Sequence, residues 1–184
     1  MKYKNRVEGD RTRVNIDVRK AKVGDEVRMA EILVAAWRRA YSGIMSPALL
    51  DALDINQKTD MWRTALERAG KGSYLVAEVN GRVEGFAVFG PARDKDLDGS
   101  ESAEIVSINI DPDKWGSGLG RSLLNSMIER LSTDGFGSIY LWVVEQNERA
   151  MRLYQRNGFI REGRIKTDPK HSGVQELRLV RILA

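Results

Sequence analysis

Asp111-Pro112-Asp113-Lys114-Trp115-Gly116-Ser117-Gly118-Leu119-Gly120-Arg121 is the stretch of this sequence richest in chemical possibility. Glycines at alternate positions free the backbone to turn with its N–H groups converging. The apolar spacing that follows, Leu119, Leu123, Leu124, Met127, Ile128 and Leu131, marks an amphipathic helix. A helix start adds about half a positive charge, so such a turn can hold an anionic phosphate with backbone groups alone. The same glycines also suit a tight turn that only packs. Two phosphate-binding patterns fit poorly. A dinucleotide fingerprint needs G-x-G-x-x-G, and here the last glycine comes one position early, at Gly120, with Arg121 in its slot. A P-loop needs Gly-Lys-Ser/Thr, which this turn lacks.

Composition removes most other chemistries. The 184 residues contain no cysteine and one histidine, His171. Disulfides, a thiol nucleophile, iron–sulfur ligation and a thiolate zinc site are excluded, and so is any metal site needing two histidines; no metal is expected. His171 follows the loop-forming Thr167-Asp168-Pro169-Lys170 and reads as a surface residue rather than a triad member. The net charge is +4 and the pI about 9.4. Eight basic residues stand against three acidic ones in the first 22, so the remainder carries a net −1. The basic balance belongs to these first 22 residues, the N-terminal extension 1–12 and the edge of the first strand, and nucleic acid is not the expected partner of the body. There is no apolar segment near the ~18 residues that span a bilayer. The expectation is one domain, 13–184, in a cytoplasmic protein without a membrane partner.

The elements that must position the turn follow from periodicity. Val14, Ile16 and Val18 alternate as a strand. Met29, Ile32, Leu33, Ala36, Trp37, Ala40 and Tyr41 form one helical stripe from about Asp25 to Gly43. Ser46 before Pro47 starts a short second helix, and Met61, Trp62, Ala65, Leu66 and Ala69 lie on a third that ends at Gly70. Strands 73–79 and 82–89 flank Asn80-Gly81, a hairpin signal of type I′. A charged loop over 90–102 leads to an alternating strand, 104–110. After the glycine-rich helix come a buried strand, 138–144, a helix capped by Asn147 and running through Tyr154, and two strands, 159–166 and 174–182.

Residues 104–121 resemble the signature of the GNAT superfamily of acyl-CoA-dependent N-acetyltransferases: a strand, Val/Ile-x-Pro, a Gln/Arg-x-x-Gly-x-Gly/Ala turn, then a helix. Asn147-Glu148-Arg149-Ala150-Met151-Arg152-Leu153-Tyr154-Gln155-Arg156-Asn157-Gly158-Phe159 is similar to that family's second signature, N-x-x-A-x-x-L-Y-x-x-x-G-F. The element order matches from Val14 to Ile182. The resemblance implies an α/β (α+β) GNAT fold: a mixed, mostly antiparallel sheet of about seven strands, splayed between strands 4 and 5 and flanked by helices. One departure stands out, because Trp115 occupies the position usually held by Gln or Arg.

The resemblance further implies acetyl-CoA as co-substrate and an amine acceptor. The pyrophosphate would meet the amides of Gly116, Ser117, Gly118, Leu119, Gly120 and Arg121, and the pantetheine arm the backbone of Ile108, Asn109 and Ile110. An N–H at Ile108 or its neighbour would stabilise the developing oxyanion. An alkylamine has a pKa of about 10 and must lose a proton before it attacks. Glu104 is the expected base, through water, and Tyr154 the expected acid for the departing thiolate. Asn147 would touch pantetheine or cap its helix. Trp37 reads as core and Tyr41 as a pocket residue, both near the acceptor, with the 166–173 loop opposite and the 90–102 loop as wall or lid. The alternatives are a catalytically silent acyl-CoA-binding or sensor protein of this fold, and a nucleic-acid binder using the basic extension. The family includes dimers, so a homodimer is among the assemblies the resemblance allows.

Overall fold

The computed structural model describes residues 15–68, 74–167, 169 and 173–183. The basic extension, the start of the first strand at Val14, Ala69, Gly70, Ser73, His171 and residues 168 and 170–172 of the expected acceptor loop lie outside the described residues. In chain order the elements are β1 (Ile16–Lys20), α1 (Glu26–Ala40), α2 (Pro47–Asp51), α3 (Ile55–Arg68), β2 (Tyr74–Val79), β3 (Arg82–Pro91) and β4 (Ser102–Ile110). A single 3-10 turn (Pro112–Lys114) follows, then α4 (Leu119–Thr133), β5 (Ser138–Val144), α5 (Glu148–Gln155), β6 (Ile160–Thr167) and β7 (Gln175–Ile182).

One seven-stranded sheet runs in the order β1-β2-β3-β4-β5-β7-β6. Every neighbouring pair is antiparallel except β4 and β5, which are parallel. The β2–β3 connection is the two-residue turn expected: Asn80 and Gly81 both have positive φ, 52° and 76°, as a type I′ turn requires.

Helices cover the two faces with different parts of the core. On one face Met29 and Ile32 of α1 pack with Trp62 and Leu66 of α3 against Val76 and Phe86. Met29, Ile32, Val76 and Phe86 are fully buried, each contributing about 1.5–3 kcal/mol by removal from water. Trp62 meets Phe86 edge-on at 5.3 Å, so Phe86→Ala would cost about 3–5 kcal/mol. On the other face Leu123, Leu124 and Met127 of α4 press on Ala87, Ile105 and Leu141. Arg28 of α1 fixes the first helix to the site: it donates to the Val83 carbonyl (2.9 Å) and Glu84 (2.8 Å) and pairs with Asp111, the first residue beyond β4.

Two irregularities of β4 shape the site. The sequence pattern reads as unbroken alternation over 104–110, but the register pairs Val88 with Ser107 and Phe89 with Ile105, leaving Val106 as a bulge. Ile105 and Ile108 therefore both join the α4 face although three positions apart. Second, β4 and β5 pair only from Ser102–Ser138 to Ile105–Leu141. Beyond that point β4 continues to Ile110 with β3 alone, and β5 to Val144 with β7 alone. The sheet splits there, at the carboxyl ends of its one parallel pair.

Residues 92–101 form a pinned wall rather than a free lid over the β5–β7 face. Arg178, 2% exposed, donates to Asp94 (3.1 Å) and Asp96 (2.8 Å) of this loop and also to Glu162 of β6. The Tyr140 hydroxyl accepts from the backbone N–H of Arg93 and Asp94, both at 3.1 Å.

Candidate active site

The split opens into a cleft of about 560 Å³. Four elements wall it: the end of α1, the unpaired end of β4, the glycine-rich turn with the start of α4, and α5. Of the residues expected to act, Trp37, Tyr41, Ile108, Asn109, Ile110, Gly116, Gly118, Leu119, Gly120, Arg121, Asn147 and Tyr154 line this cleft. Ser117 and Glu104 do not.

The turn is built by short-range chemistry. The Asp111 carboxylate accepts from Asp113 N (3.0 Å), and Pro112 presets the first position of the 3-10 turn. Gly116 and Gly118 then take φ of 85° and 95°, which side chains other than glycine rarely adopt. Gly118 caps α4 without any side-chain bond, so the first amides of that helix depend on something else to accept from them. Gly120 has a packing role instead: a methyl there would meet Leu153 Cδ2 of α5 at 3.4 Å. Ser117 is turned outward, its hydroxyl donating to the Lys114 carbonyl at 2.6 Å.

Besides Arg121, the cleft holds cations to which the sequence alone assigned no role. Arg149 and Arg152 of α5, Arg156 at its C-cap and Lys114 line it as well. Arg152 pairs with Glu148 at 2.9 Å and Lys114 stands 3.9 Å from Glu84. Arg121, Arg149 and Arg156 have no carboxylate partner among the described residues, so they bring uncompensated positive charge to the cleft. Arg149 instead lies over the Trp115 indole, 4.3 Å from the ring centroid.

Two phenol hydroxyls belong to the same cleft. Tyr154, in the last turn of α5, is 7% exposed and meets Phe159 edge-on at 5.7 Å. Burial, reinforced by the nearby Tyr41, keeps its phenol protonated well above the ordinary tyrosine range. Tyr41 is the residue after α1, and Trp37 meets it edge-on at 5.3 Å. Its own pKa is raised by burial, opposed by the nearby Asn147 side chain and reinforced by Glu176. Asn147 does two things at once. Its Oδ1 accepts from Ala150 N at 3.1 Å as the α5 cap, and its side chain stands near enough to the Tyr41 phenol to hold the pKa of that group down.

Glu104 lies below the split, where β4 still pairs with Tyr140 of β5. It is 5% exposed, and Arg93 occupies both of its oxygens, Nε to Oε2 at 2.7 Å and Nη2 to Oε1 at 2.8 Å. Burial pushes the carboxyl up, but Arg93 more than reverses it, with help from the Tyr140 hydroxyl and Lys166, and the net pKa is below the usual carboxylate range.

The model of the acetyltransferase (GNAT) family matches residues 28–159. The uncharacterized N-acetyltransferase YuaI of Bacillus subtilis (strain 168) is 34% identical over 132 residues, 72% of this chain and 73% of that protein. Among solved structures, the PaiA N-acetyltransferase of Thermoplasma acidophilum in complex with coenzyme A superposes with a TM-score of 0.75 at 20% identity, covering 92% of this chain and 99% of that one. The YncA structure from Salmonella typhimurium with acetyl-CoA gives 0.69 at 23% identity over 92% and 95%. Both structures share the fold described above.

Proposed function

The chain belongs to the GNAT acetyltransferase family and is an acetyl-CoA-dependent N-acetyltransferase, and we propose that it moves the acetyl group to a primary amine by direct attack, with this cleft as the site. The single observation that carries the reading is that one cavity is lined both by an uncapped, glycine-rich helix start, with arginines that have no carboxylate partner among the described residues, and by two phenols, Tyr154 buried and Tyr41 half-buried. The first set suits phosphates and the second a small reacting group.

Acetyl-CoA would lie between the two. Its pyrophosphate would take the amides of 116–121, where backbone donors converge. The edge of β4 that loses β5 beyond Ile105 leaves backbone groups at Ile108, Asn109 and Ile110 without a strand partner on that side. Pantetheine carries amides and can add along such an edge as a strand does. The same edge would aim an N–H at the thioester oxygen, an interaction of about 3 kcal/mol in comparable sites. With no cysteine in the chain to hold the acyl group, the amine attacks the thioester itself.

Proton transfer is divided by burial. Tyr154, kept protonated, would donate to the departing thiolate. Glu104 cannot take a proton outright from an ammonium of pKa about 10, because Arg93 holds it well below that range. It would act as an ordered, charged relay through water, with solvent as the final acceptor. Trp37 and Tyr41 close the acceptor side of the cleft.

The test is thiol release from acetyl-CoA across polyamines, aminoglycosides, amino acids and peptides with free N-termini or lysines. Turnover with an amine supports the reading. Stabilisation by acetyl-CoA without turnover would make this a silent acyl-CoA-binding member, and no stabilisation by acetyl-CoA would sink it.

A further inference from the structure

Trp115 opens the glycine-rich turn where the family pattern carries Gln or Arg, so the turn brings no such polar side chain to that point. Its ring is nevertheless held. Nε1 donates to the carbonyl of Ile110 at 3.0 Å, tying the turn back onto the last residue of β4. The Arg149 guanidinium lies on the ring face, 4.3 Å from the centroid. The two residues come from different elements lining the cleft, one before α4 and one in the first turn of α5. Their stack therefore joins those two elements beside the turn.

The chemistry of that stack is specific. Arg152, three residues on, is neutralised by Glu148 at 2.9 Å, whereas Arg149 has no carboxylate partner among the described residues. Stacking occupies the face of a guanidinium and leaves its edge N–H donors free. Such an edge matches two oxygens of a phosphate. Because the indole is pinned by its own hydrogen bond, the guanidinium is placed before any ligand arrives, and less side-chain freedom is lost on binding.

We propose that Arg149, held on Trp115, pairs with the diphosphate of coenzyme A, supplying from α5 the polar contact that the first position of the turn lacks. Trp115 is the positioning residue for it. The proposal rests on the coenzyme A reading above and names a further ligand contact within it.

Calorimetric titration of the full chain with CoA, with dephospho-CoA, which lacks only the 3′-phosphate, and with pantetheine as competitor separates the possibilities. Arg149→Ala weakens CoA and dephospho-CoA alike by about 10- to 100-fold and leaves pantetheine unchanged. Trp115→Leu weakens the same two ligands by about two- to fivefold, and adding it to Arg149→Ala changes nothing more. Arg149→Lys, which keeps the charge and loses the planar edge, falls between the wild type and Arg149→Ala. The proposal is overturned if Arg149→Ala binds CoA as the wild type does, if only CoA and not dephospho-CoA is affected, or if pantetheine weakens equally. Failure of the underlying reading is separate and visible first, since the wild type would then bind no CoA.

Discussion

Arg93 holds Glu104 in a two-pronged ion pair, at 2.7 and 2.8 Å, although the arginine side chain is 67% exposed and the glutamate nearly buried. The asymmetry sets the consequences of breaking it. Arg93→Ala leaves a carboxylate in a poorly solvated position with only Tyr140 and Lys166 to offset burial. With Arg93 present the folded-state pKa lies below the unfolded one, so the pair stabilises above the unfolded pKa, about 4.3, and that contribution fades as pH falls through the folded value. After Arg93→Ala burial dominates, the pKa rises, and the cost is greatest at neutral pH. We expect a loss of about 1–2 kcal/mol at pH 7, discounted from the fully buried case because Arg93 is exposed. Thermal melts from pH 3 to 8 should show the two proteins converging below pH 4. Parallel curves would mean that the loss is one of packing rather than charge.

The position of this pair explains what could and could not be read from the chain alone. The glycine-rich turn, the capped helices and the hairpin are set by neighbours in sequence, so Gly118, Asn147 and Asn80-Gly81 are legible as written. Arg93 stands eleven residues from Glu104 in a loop without periodicity, and only the fold brings them together. The bulge at Val106 was visible in principle: Ile105 and Ile108 are three apart, and strict alternation cannot put both on one face. Arg149, Arg152 and Arg156 recur at i, i+3 and i+7, one face of α5 and its C-cap. On a helix, such a charged face usually meets solvent, and it lines the cleft here because the sheet splits beneath it.

Tyr154→Phe removes one oxygen from a buried ring and keeps its edge-on contact with Phe159. Stability should change by less than about 1.5 kcal/mol, the size of one net hydrogen bond. If Tyr154 is the acid, kcat falls by about 100-fold while CoA affinity stays within twofold. Stopped-flow thiol detection and CoA titration on the same preparation would separate the two.

The pH profile of the wild type should rise through the neutral range and have no descending limb below pH 10. The rise follows from the acceptor, whose amine with a pKa of about 10 is only ~0.1% free at pH 7 and gains tenfold per unit. The missing descent follows from Tyr154, whose raised pKa keeps it protonated past the ordinary tyrosine value. A fall in kcat/KM between pH 8 and 9 would reassign the acid to a group of lower pKa.

Gly118→Ala isolates backbone strain from crowding. The nearest side-chain atom to a methyl there is Ile16 Cδ1 at an ordinary 3.8 Å, so space is not the difficulty. The difficulty is φ of 95° at the cap of α4. The expected cost is about 1–2 kcal/mol, with weaker CoA binding as the amides of the turn lose their alignment. Chemical denaturation read alongside CoA affinity tests both, and an unchanged affinity would remove the turn from the binding surface.

Asn147 joins two jobs that substitution can separate. Asn147→Ala removes the oxygen that accepts from Ala150 N and should cost about 1 kcal/mol through loss of the cap. Asn147→Asp retains an accepting oxygen, and its charge suits a helix N-terminus, so stability should hold. What it loses is the neutral amide near Tyr41, and it adds negative charge beside a phenol whose pKa burial and Glu176 already raise. If the Asn147–Tyr41 contact shapes the reacting end of the cleft, both variants lose turnover although only the alanine loses stability. Melting temperature and kcat measured together decide it: an aspartate variant with full turnover would confine Asn147 to capping.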